Sequence, residues 1–263
     1  MGSLARRLRL LRLAWRTIVE WLDLDGSRNR VVRRTELDGH PRPVLLLQGF
    51  FSTRRALSVL EARLRRDGYG VISLHLGGLR RAWRTRGVDG QAEYVRQKVE
   101  RLYQRHPGLG PLSIVGHSKG GVVATHYVQQ LGGWRRVEAV VALGSPFHGT
   151  WLAWLALPVV PVAPFLLQLA PGSRFLRRLL QGEWPAAVRL ASLWSRRDEL
   201  AAWPSPVLDP RGGAAMRNVE VDSDHFQLLT RRDVYLAIRQ ELEAARAVRR
   251  APLRLLAGGG GGS

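Results

Sequence analysis

The pattern of hydrophobic and polar positions divides the chain into two kinds of segment, which alternate along it. Short continuous apolar runs, rich in Val, Leu and Ile, are typical of parallel strands buried on both faces. Between them lie segments whose apolar residues recur at helical spacing. The predicted strands are a region around Val31-Val32 and residues 43–47, 70–74, 112–115, 137–143, 188–194 and 219–221. The predicted helices are residues 56–64, 91–105, 226–249 and the segment from Val122 to the Gly132-Gly133 pair.

Strands that alternate with helices predict an α/β fold with a mostly parallel central sheet and helices on both faces. With 263 residues, the chain is long enough for one such domain with an insertion. We expect this domain to span residues 28–250. The sequence ends in a run of glycines, and we expect residues 251–263 to form a flexible tail.

The segment 151–170 carries no charged residue over a length that would suit a membrane-spanning helix. Pro158, Pro161 and Pro164 argue against such a helix. A membrane crossing here would also separate two predicted strands of the same sheet. We therefore expect residues 151–187 to form an apolar cap over the functional site.

Residues 1–27 are predicted to form a basic amphipathic helix. Apolar residues recur at helical spacing from Leu4 to Leu22, while the arginines fall largely at other positions. The arginines also interrupt every apolar run that a signal peptide would need, so we expect a cytoplasmic protein or one peripheral to the inner membrane face. The helix lies on an anionic membrane surface, or it packs on its own domain or on a partner; the sequence leaves both alternatives open.

The formal net charge is +20, and nearly all of the positive charge is arginine because Lys98 and Lys119 are the only lysines. This balance favours anionic partners such as lipid headgroups, although a GC-rich coding genome also enriches arginine. The sequence contains no zinc-finger spacing, RNP-type aromatic motif or clear helix-turn-helix, so we expect no specific nucleic-acid partner. The absence of cysteine excludes thiol catalysis, cysteine-ligated metals and disulfides.

The sequence Val-Gly-His-Ser-Lys-Gly-Gly, residues 115–121, places a Gly-x-Ser-x-Gly pentapeptide directly between a predicted strand and a predicted helix. In this setting the turn holds Ser118 in a strained backbone conformation, so that its hydroxyl stands clear above the sheet. Gly116 and Gly120 lack side chains because the neighbouring backbones pass too close for a Cβ atom. Ser118 is therefore the candidate nucleophile; the alternative is a serine in an ordinary strand-to-helix turn.

A serine hydroxyl needs a base within hydrogen-bond reach, and the base needs a carboxylate that orients it. In strand-turn-helix sites of this kind the chain order is serine, acid and then histidine. His225 is the only histidine that follows the cap, so it is the candidate base; the alternative is a histidine that caps the last helix.

The carboxylates that follow the cap are Asp198, Glu199, Asp209, Asp222 and Asp224. Asp198 is the preferred acid because a short turn joins it to a predicted strand, which puts it at the carboxyl edge of the sheet. Glu199 is adjacent and stays an alternative. Asp222 and Asp224 are too near His225 in sequence to reach its ring easily, and we expect them to stabilise the loop or cap the helix.

With these motifs in this order, the chain resembles the α/β-hydrolase superfamily and, within it, bacterial lipases and esterases. The resemblance covers residues 40–250. The stretch Pro-Val-Leu-Leu-Leu-Gln-Gly-Phe-Phe from Pro43 is similar to their strand and oxyanion turn, and Leu-Gly-Ser-Pro-Phe-His-Gly-Thr from Leu143 resembles the stretch that leads into their lid. The turns around Asp198 and His225 match the acid and histidine turns of the family.

The resemblance implies an α/β-hydrolase fold and an oxyanion hole built from the backbone N–H groups of Phe50 and Lys119. Two residues depart from the family pattern. Gln48 replaces the usual histidine before Gly49, a position that shapes the turn. Lys119 replaces an apolar residue or glutamine, and its side chain faces solvent, pairs with a carboxylate or the cap, or reaches a substrate headgroup.

The sequence therefore predicts a serine ester hydrolase, a lipase-like carboxylesterase that forms an acyl-enzyme on Ser118. The apolar cap, with Trp151 and Trp154 near its start, favours a lipid or other substrate with a hydrophobic acyl group. A thioesterase, acyltransferase or phospholipase would use the same residues. A non-catalytic membrane-associated adaptor that keeps the hydrolase fold is the alternative from another class. No cofactor and no metal are implied, and the sequence identifies no protein partner.

Overall fold

The computed structural model of the protein describes residues 37–49, 54–74, 76, 87–154, 164–209 and 215–257. Within these residues, a six-stranded sheet contains β1 (Pro43–Leu47), β2 (Gly70–Leu74), β3 (Leu112–His117), β4 (Val137–Leu143), β5 (Arg189–Trp194) and β6 (Met216–Glu220). The α-helices of the same residues are α1 (Arg54–Arg66), α2 (Val88–Arg105), α3 (Lys119–Gln130), α4 (Arg174–Gln181) and α5 (Arg232–Ala257). Strands alternate with helices, as the sequence predicts.

The order of strands in the sheet determines where a site forms. The order is β2-β1-β3-β4-β5-β6, and every pairing is parallel. The chain moves outward from β1 to β2 and then returns to place β3 on the other side of β1. Ligands of open α/β sheets bind at the carboxyl ends of the strands beside such a reversal. The segments that follow β1 and β3 therefore meet at the natural position for a functional site.

The alternating side chains of the central strands fill two cores, one on each face of the sheet. Ile114 of β3 belongs to the core that includes Val95 of α2 and Val122 of α3. Its neighbour Val115 belongs to the core on the other face, which includes Ile238 of α5. Both faces of the sheet are covered, which is why these strands read as continuous apolar runs instead of alternating ones. The predicted α/β fold with a mostly parallel sheet and helices on both faces is confirmed.

The last strand and the last helix of the domain differ from the sequence prediction. Strand β6 begins at Met216, before the predicted residues 219–221. The sequence pattern misses its first residues because this edge strand exposes polar side chains and shows no apolar run. Helix α5 begins at Arg232, after a 3-10 turn at Gln227–Leu229. It continues to Ala257, so residues 251–257, predicted as tail, are helical. The predicted strand around Val31-Val32, the helix over residues 1–27 and the glycines after 257 lie outside the described residues.

The described part of the predicted cap consists of short turns and one short helix. It contains a 3-10 turn over residues 151–154, a second one at Pro164–Leu169 and the helix α4. Residues 155–163 lie outside the described part of the chain. None of the helices that the structure describes combines the length and the apolar character needed to cross a membrane.

Residues of the predicted cap contact the rest of the domain in both of its described parts. Trp151 donates its indole N–H to the carbonyl oxygen of Glu199 at 3.2 Å. Gln168 accepts the backbone N–H of Val88 and donates to the carboxylate of Asp89, both at 2.6 Å. The cap therefore contacts the loop after β5 and the start of α2.

Candidate active site

Ser118 lies in the turn between β3 and α3 and has a backbone conformation that side chains disfavour. Its φ is 54° and its ψ is −126°, and among the described residues it is the only one other than glycine with a positive φ. A Cβ atom on Gly116 would lie 2.5 Å from the backbone nitrogen of Gly121, and one on Gly120 would lie 2.3 Å from the carbonyl oxygen of Leu47. The strained turn and the close backbone approaches predicted for the Gly-x-Ser-x-Gly sequence are confirmed.

The turn after β1 passes directly beside this serine. A Cβ atom on Gly49 would lie 2.6 Å from the Cβ of Ser118 and 2.9 Å from the backbone nitrogen of Lys119. Gln48, which departs from the family pattern, is buried in the same turn. Lys119 is the first residue of α3, where backbone N–H groups point out of the helix end. Phe50, the other predicted oxyanion donor, lies outside the described residues.

His225 and Asp198 form a buried pair. The two carboxylate oxygens of Asp198 lie 2.9 and 2.8 Å from Nδ1 of His225. Oδ1 of Asp198 also accepts the backbone N–H groups of Leu200 at 2.9 Å and Ala201 at 2.8 Å. These donors fix the carboxylate, which in turn fixes the imidazole with its proton on Nδ1. Nε2 of His225 is buried and makes no hydrogen bond within the part of the chain that the structure describes.

Neighbouring strands bring these residues to one edge of the sheet. Asp198 follows β5 and His225 follows β6, while the backbone N–H of Ser118 donates to the carbonyl of Leu143, the last residue of β4, at 2.8 Å. Gly144 follows Leu143 with a φ of 52°, and a Cβ atom there would lie 2.5 Å from Oδ2 of Asp198 and 3.2 Å from Nδ1 of His225. Four adjacent strands, β3 to β6, thus contribute to one site.

The other candidate acids lie elsewhere. Glu199 and Asp209 are exposed. Asp222 pairs with Arg197 at 3.2 Å. Asp224 accepts the backbone N–H groups of Phe226 and Gln227, which begin the turn before α5. Its carboxylate therefore stabilises this loop, as predicted. Asp198 is the candidate whose carboxylate reaches the imidazole of His225.

His117 is a member of the site that the sequence analysis missed. It is buried, its ring centre lies 4.6 Å from that of His225, and its Nε2 lies 2.9 Å from the His225 carbonyl oxygen. Burial, and then the nearby His225, lower the pKa of His117 to about 3. The ring is therefore neutral at ordinary pH and donates its Nε2–H to that carbonyl. This bond ties the residue before Ser118 to the backbone of His225, and nothing in the sequence pattern signals it.

The side chain of Lys119 is buried, with 4% of its surface exposed. The alternative in which this lysine faces solvent is therefore wrong. Burial lowers its pKa to about 7, because a charged ammonium group loses its hydration in the interior. No group of three or more histidine, aspartate or glutamate side chains that could hold a metal ion occurs among the described residues.

The comparison with known proteins identifies the family of the chain. The sequence profile of the family described as serine aminopeptidase, S33, matches residues 39–258. The chain belongs to this family of α/β hydrolases. The residues that match the S33 profile include the sheet, the described part of the predicted cap and the candidate site. No functionally curated protein matches the chain in sequence.

Solved structures share the fold of this S33-family chain. An esterase of Pyrococcus furiosus superposes with a TM-score of 0.60 and 16% identity, covering 79% of this chain and 84% of its own. The lipase BlEst2 of Bacillus licheniformis gives a TM-score of 0.59 and 15% identity, with coverage of 81% and 96%. Lipase B of Aspergillus fumigatus gives 0.60 and 17%, with coverage of 78% and 53%. At these low sequence identities, the structural similarity shows a shared fold.

Proposed function

We propose that the protein is a serine ester hydrolase, a lipase-like carboxylesterase. Ser118 is the nucleophile, His225 the general base and acid, and Asp198 the carboxylate that orients the histidine. The observation that carries the proposal is the buried pair of His225 and Asp198, joined at 2.8 and 2.9 Å, at the sheet edge that also holds the strained Ser118. Neither a serine in an ordinary turn nor a non-catalytic adaptor requires a buried histidine–carboxylate pair at the same edge of the sheet.

The first half of the proposed reaction forms the acyl-enzyme. Oγ of Ser118 attacks the carbonyl carbon of the ester while Nε2 of His225 accepts its proton. The carbonyl oxygen becomes an alkoxide, which the backbone N–H of Lys119 stabilises together with the N-terminus of α3 and, by the family resemblance, the N–H of Phe50. The alkoxide then re-forms the carbonyl, the bond to the alcohol breaks, and the alcohol leaves with the proton from His225.

The second half returns the enzyme to its starting state. A water molecule gives a proton to His225 and attacks the acyl carbon, and the bond to Ser118 breaks as its oxygen regains the proton. The products are a carboxylic acid and the free enzyme. The acyl group is proposed to be hydrophobic, because the predicted cap is apolar and carries Trp151, Trp154 and Leu167. The names of the esterase and the two lipases that share the fold agree with an ester substrate.

The test is labelling with a fluorophosphonate probe together with hydrolysis of p-nitrophenyl esters. Ser118→Ala is expected to abolish labelling and to lower turnover by several orders of magnitude, and His225→Ala to do nearly the same. Ser145→Ala is the matched control: its hydroxyl is buried near the site but makes no hydrogen bond with described residues, so its loss is expected to preserve labelling. Wild-type turnover by Ser118→Ala would overturn the proposal.

The leaving group is tested with a panel of substrates of equal acyl length. The proposal expects turnover of p-nitrophenyl and glycerol esters above that of acyl thioesters, phospholipids and aminoacyl anilides. Preferred cleavage of the anilides would instead identify a peptidase, in keeping with the name of the family. Preferred turnover of thioesters or phospholipids would keep the catalytic residues and change the substrate class.

A further inference from the structure

A cavity lies away from the candidate active site, between the predicted cap and the helices α2 and α3. Its volume is about 870 Å³. Asp89 at the start of α2 and His126 on α3 line one side, and Arg174, Phe175 and Arg178 of α4 line another. His126 follows Ser118 by eight residues on α3, which places it about 12 Å further along the helix. Ser118, Asp198 and His225 do not line this cavity.

Two arginines of the cavity wall form no ion pair with a described carboxylate. Arg174 and Arg178 are four residues apart on α4 and so project from the same face of the helix. Both are exposed, and neither forms an ion pair with a carboxylate in the part of the chain that the structure describes. Asp89 lines the same cavity, but its carboxylate lies 3.1 Å from Nε2 of His126 and accepts a hydrogen bond from Gln168 at 2.6 Å, so two arginines face one carboxylate and the wall stays positive. The two guanidinium groups therefore remain to attract an anion.

The same cavity offers apolar surface beside the two arginines. Leu167, Phe175 and Leu179 contribute to its lining. Leu179 is buried in the core, and the ring of Phe175 packs 5.3 Å from the ring of His126. The volume is in the range of pockets that enclose small organic ligands and is far larger than a bare inorganic anion requires. Guanidinium groups beside an apolar surface match a molecule that has a charged head and an apolar body.

We propose that this cavity binds a single-chain amphiphilic anion, with its carboxylate or phosphate head on Arg174 and Arg178 and its apolar chain along Leu167, Phe175 and Leu179. Arginine holds such heads through paired N–H donors. His126 and Gln130 of α3 line the same cavity, so the bound anion lies between α4 of the cap and the rest of the domain and stabilises the docked position of the cap. The site is separate from the proposed hydrolysis and does not depend on Ser118.

The experiment measures binding of decanoate and decyl phosphate by isothermal titration calorimetry, below their micelle concentrations. The double variant Arg174→Gln/Arg178→Gln is compared with Arg177→Gln, which removes an exposed arginine of the same helix that does not line the cavity. Wild type and Arg177→Gln are expected to bind at least one of the anions saturably and to melt at a higher temperature in its presence. The double variant is expected to bind it at least 10-fold more weakly and to lose the shift in melting temperature.

Decanol and inorganic phosphate supply the controls for the two parts of the ligand. Both are expected to bind much more weakly than decanoate and decyl phosphate, because decanol lacks the charge and inorganic phosphate lacks the apolar chain. Absence of saturable binding of both anions would overturn the proposal, as would equal affinity of the wild type and the double variant or equal binding of decanol. The tighter of the two anions identifies the head group, a fatty carboxylate or a phosphorylated lipid. A circular dichroism spectrum establishes that the double variant is folded, and esterase assays report on the proposed function separately.

Discussion

At Ser118 the tertiary structure maintains a conformation that an isolated peptide would leave. A positive φ costs an ordinary side chain on the order of 1–3 kcal/mol. The surrounding backbone imposes it, since the N–H of Ser118 is bonded to Leu143 at 2.8 Å, and Gly49 and Gly120 admit no Cβ atom. The strain keeps the hydroxyl at the sheet edge, where the buried imidazole of His225 also lies.

Asp198→Asn is expected to lower kcat for ester hydrolysis by roughly 10⁴-fold, with a much smaller effect on KM. An asparagine keeps the size of the side chain, but its amide group no longer selects the imidazole tautomer with the proton on Nδ1. Glu199→Gln serves as the control, because Glu199 is exposed and adjacent. Steady-state kinetics of the two variants decide the assignment: if Glu199→Gln is the damaging change, the acid is one residue further along the chain.

Lys119→Met is expected to raise the free energy of unfolding by a few kcal/mol near pH 7. The pKa of this lysine is about 7 in the folded protein, against an ordinary value of 10.5 in the unfolded chain. The unfolded state therefore binds the proton more strongly. Below pH 7 the lysine is charged in both states, and its burial then lowers the free energy of unfolding by the full amount. The cost declines between pH 7 and 10.5 and vanishes above that range.

The measurement for this lysine is urea unfolding of the wild type and the variant at several pH values. The advantage of the methionine is expected to be largest at pH 6 to 7 and to shrink as the pH rises toward 10. Lys98→Met is the control, since Lys98 is exposed and is the only other lysine of the chain. An advantage that does not change with pH would assign the effect to packing and not to the buried charge.

At the scale of elements, the site depends on how closely α3 approaches β1. Gly120 of α3 lies against the carbonyl of Leu47, the last residue of β1, at a distance that only glycine allows. This contact holds the start of α3 beneath the turn that contains Gly49. The N-terminal end of α3, with Ser118 and Lys119, is thereby fixed against the predicted oxyanion turn.

Gly120→Ala is expected to lower the free energy of unfolding by about 1–3 kcal/mol and to reduce esterase activity. A Cβ atom there would lie 2.3 Å from a backbone oxygen that has no freedom to move away. Alanine is the better helix former by about 1 kcal/mol, but the clash outweighs this gain. Thermal unfolding and ester turnover measure the two effects. Gly108→Ala is the control, because the nearest atom to its Cβ would be 3.5 Å away; equal melting temperatures of the two variants would contradict the role of this approach.

For the whole molecule, the net charge of +20 favours an anionic partner, and a membrane surface is one of the two alternatives for the predicted N-terminal helix. The helix over residues 1–24 would place its apolar stripe at the acyl boundary and its arginines on anionic headgroups, at about 1 kcal/mol for each basic residue. These residues lie outside the described part of the chain, and vesicle binding tests the prediction.

Deletion of residues 1–24 is expected to weaken binding to anionic vesicles in a flotation assay, and added salt is expected to weaken binding of the full-length protein. Activity on long-chain esters is expected to rise with anionic vesicles for the full-length protein. Deletion of the glycines from Gly258 onward is the control and is expected to change neither result. Equal flotation of the full-length and the 1–24-deleted protein would eliminate the membrane anchor and leave packing on the domain or on a partner.

Much of the fold followed from patterns that are local in the chain. Residues 43–47 and 137–143 form strands with the bounds that the sequence predicts, because strands buried on both faces leave uninterrupted apolar runs. Strand β6 was harder to predict because an edge strand with exposed polar residues lacks that pattern. The end of α5 also differs from the prediction, since residues 251–257 form further helix where the sequence predicts a tail.

The sequence by itself determined the order of strands and helices and the α/β class, because these depend on neighbouring residues and on backbone sterics. Its Gly-x-Ser-x-Gly pattern located the turn at Ser118, whose strained conformation the tertiary contacts maintain. The sequence also reduced the possible acids to a few and left Asp198 preferred over Glu199. Only the tertiary structure brought Asp198 against His225, buried Lys119, bonded His117 to the backbone of His225 and opened a cavity between α3 and α4. These features join residues that are distant in the chain, and their positions are decided by the convergence of parallel strand ends and the packing of the cap.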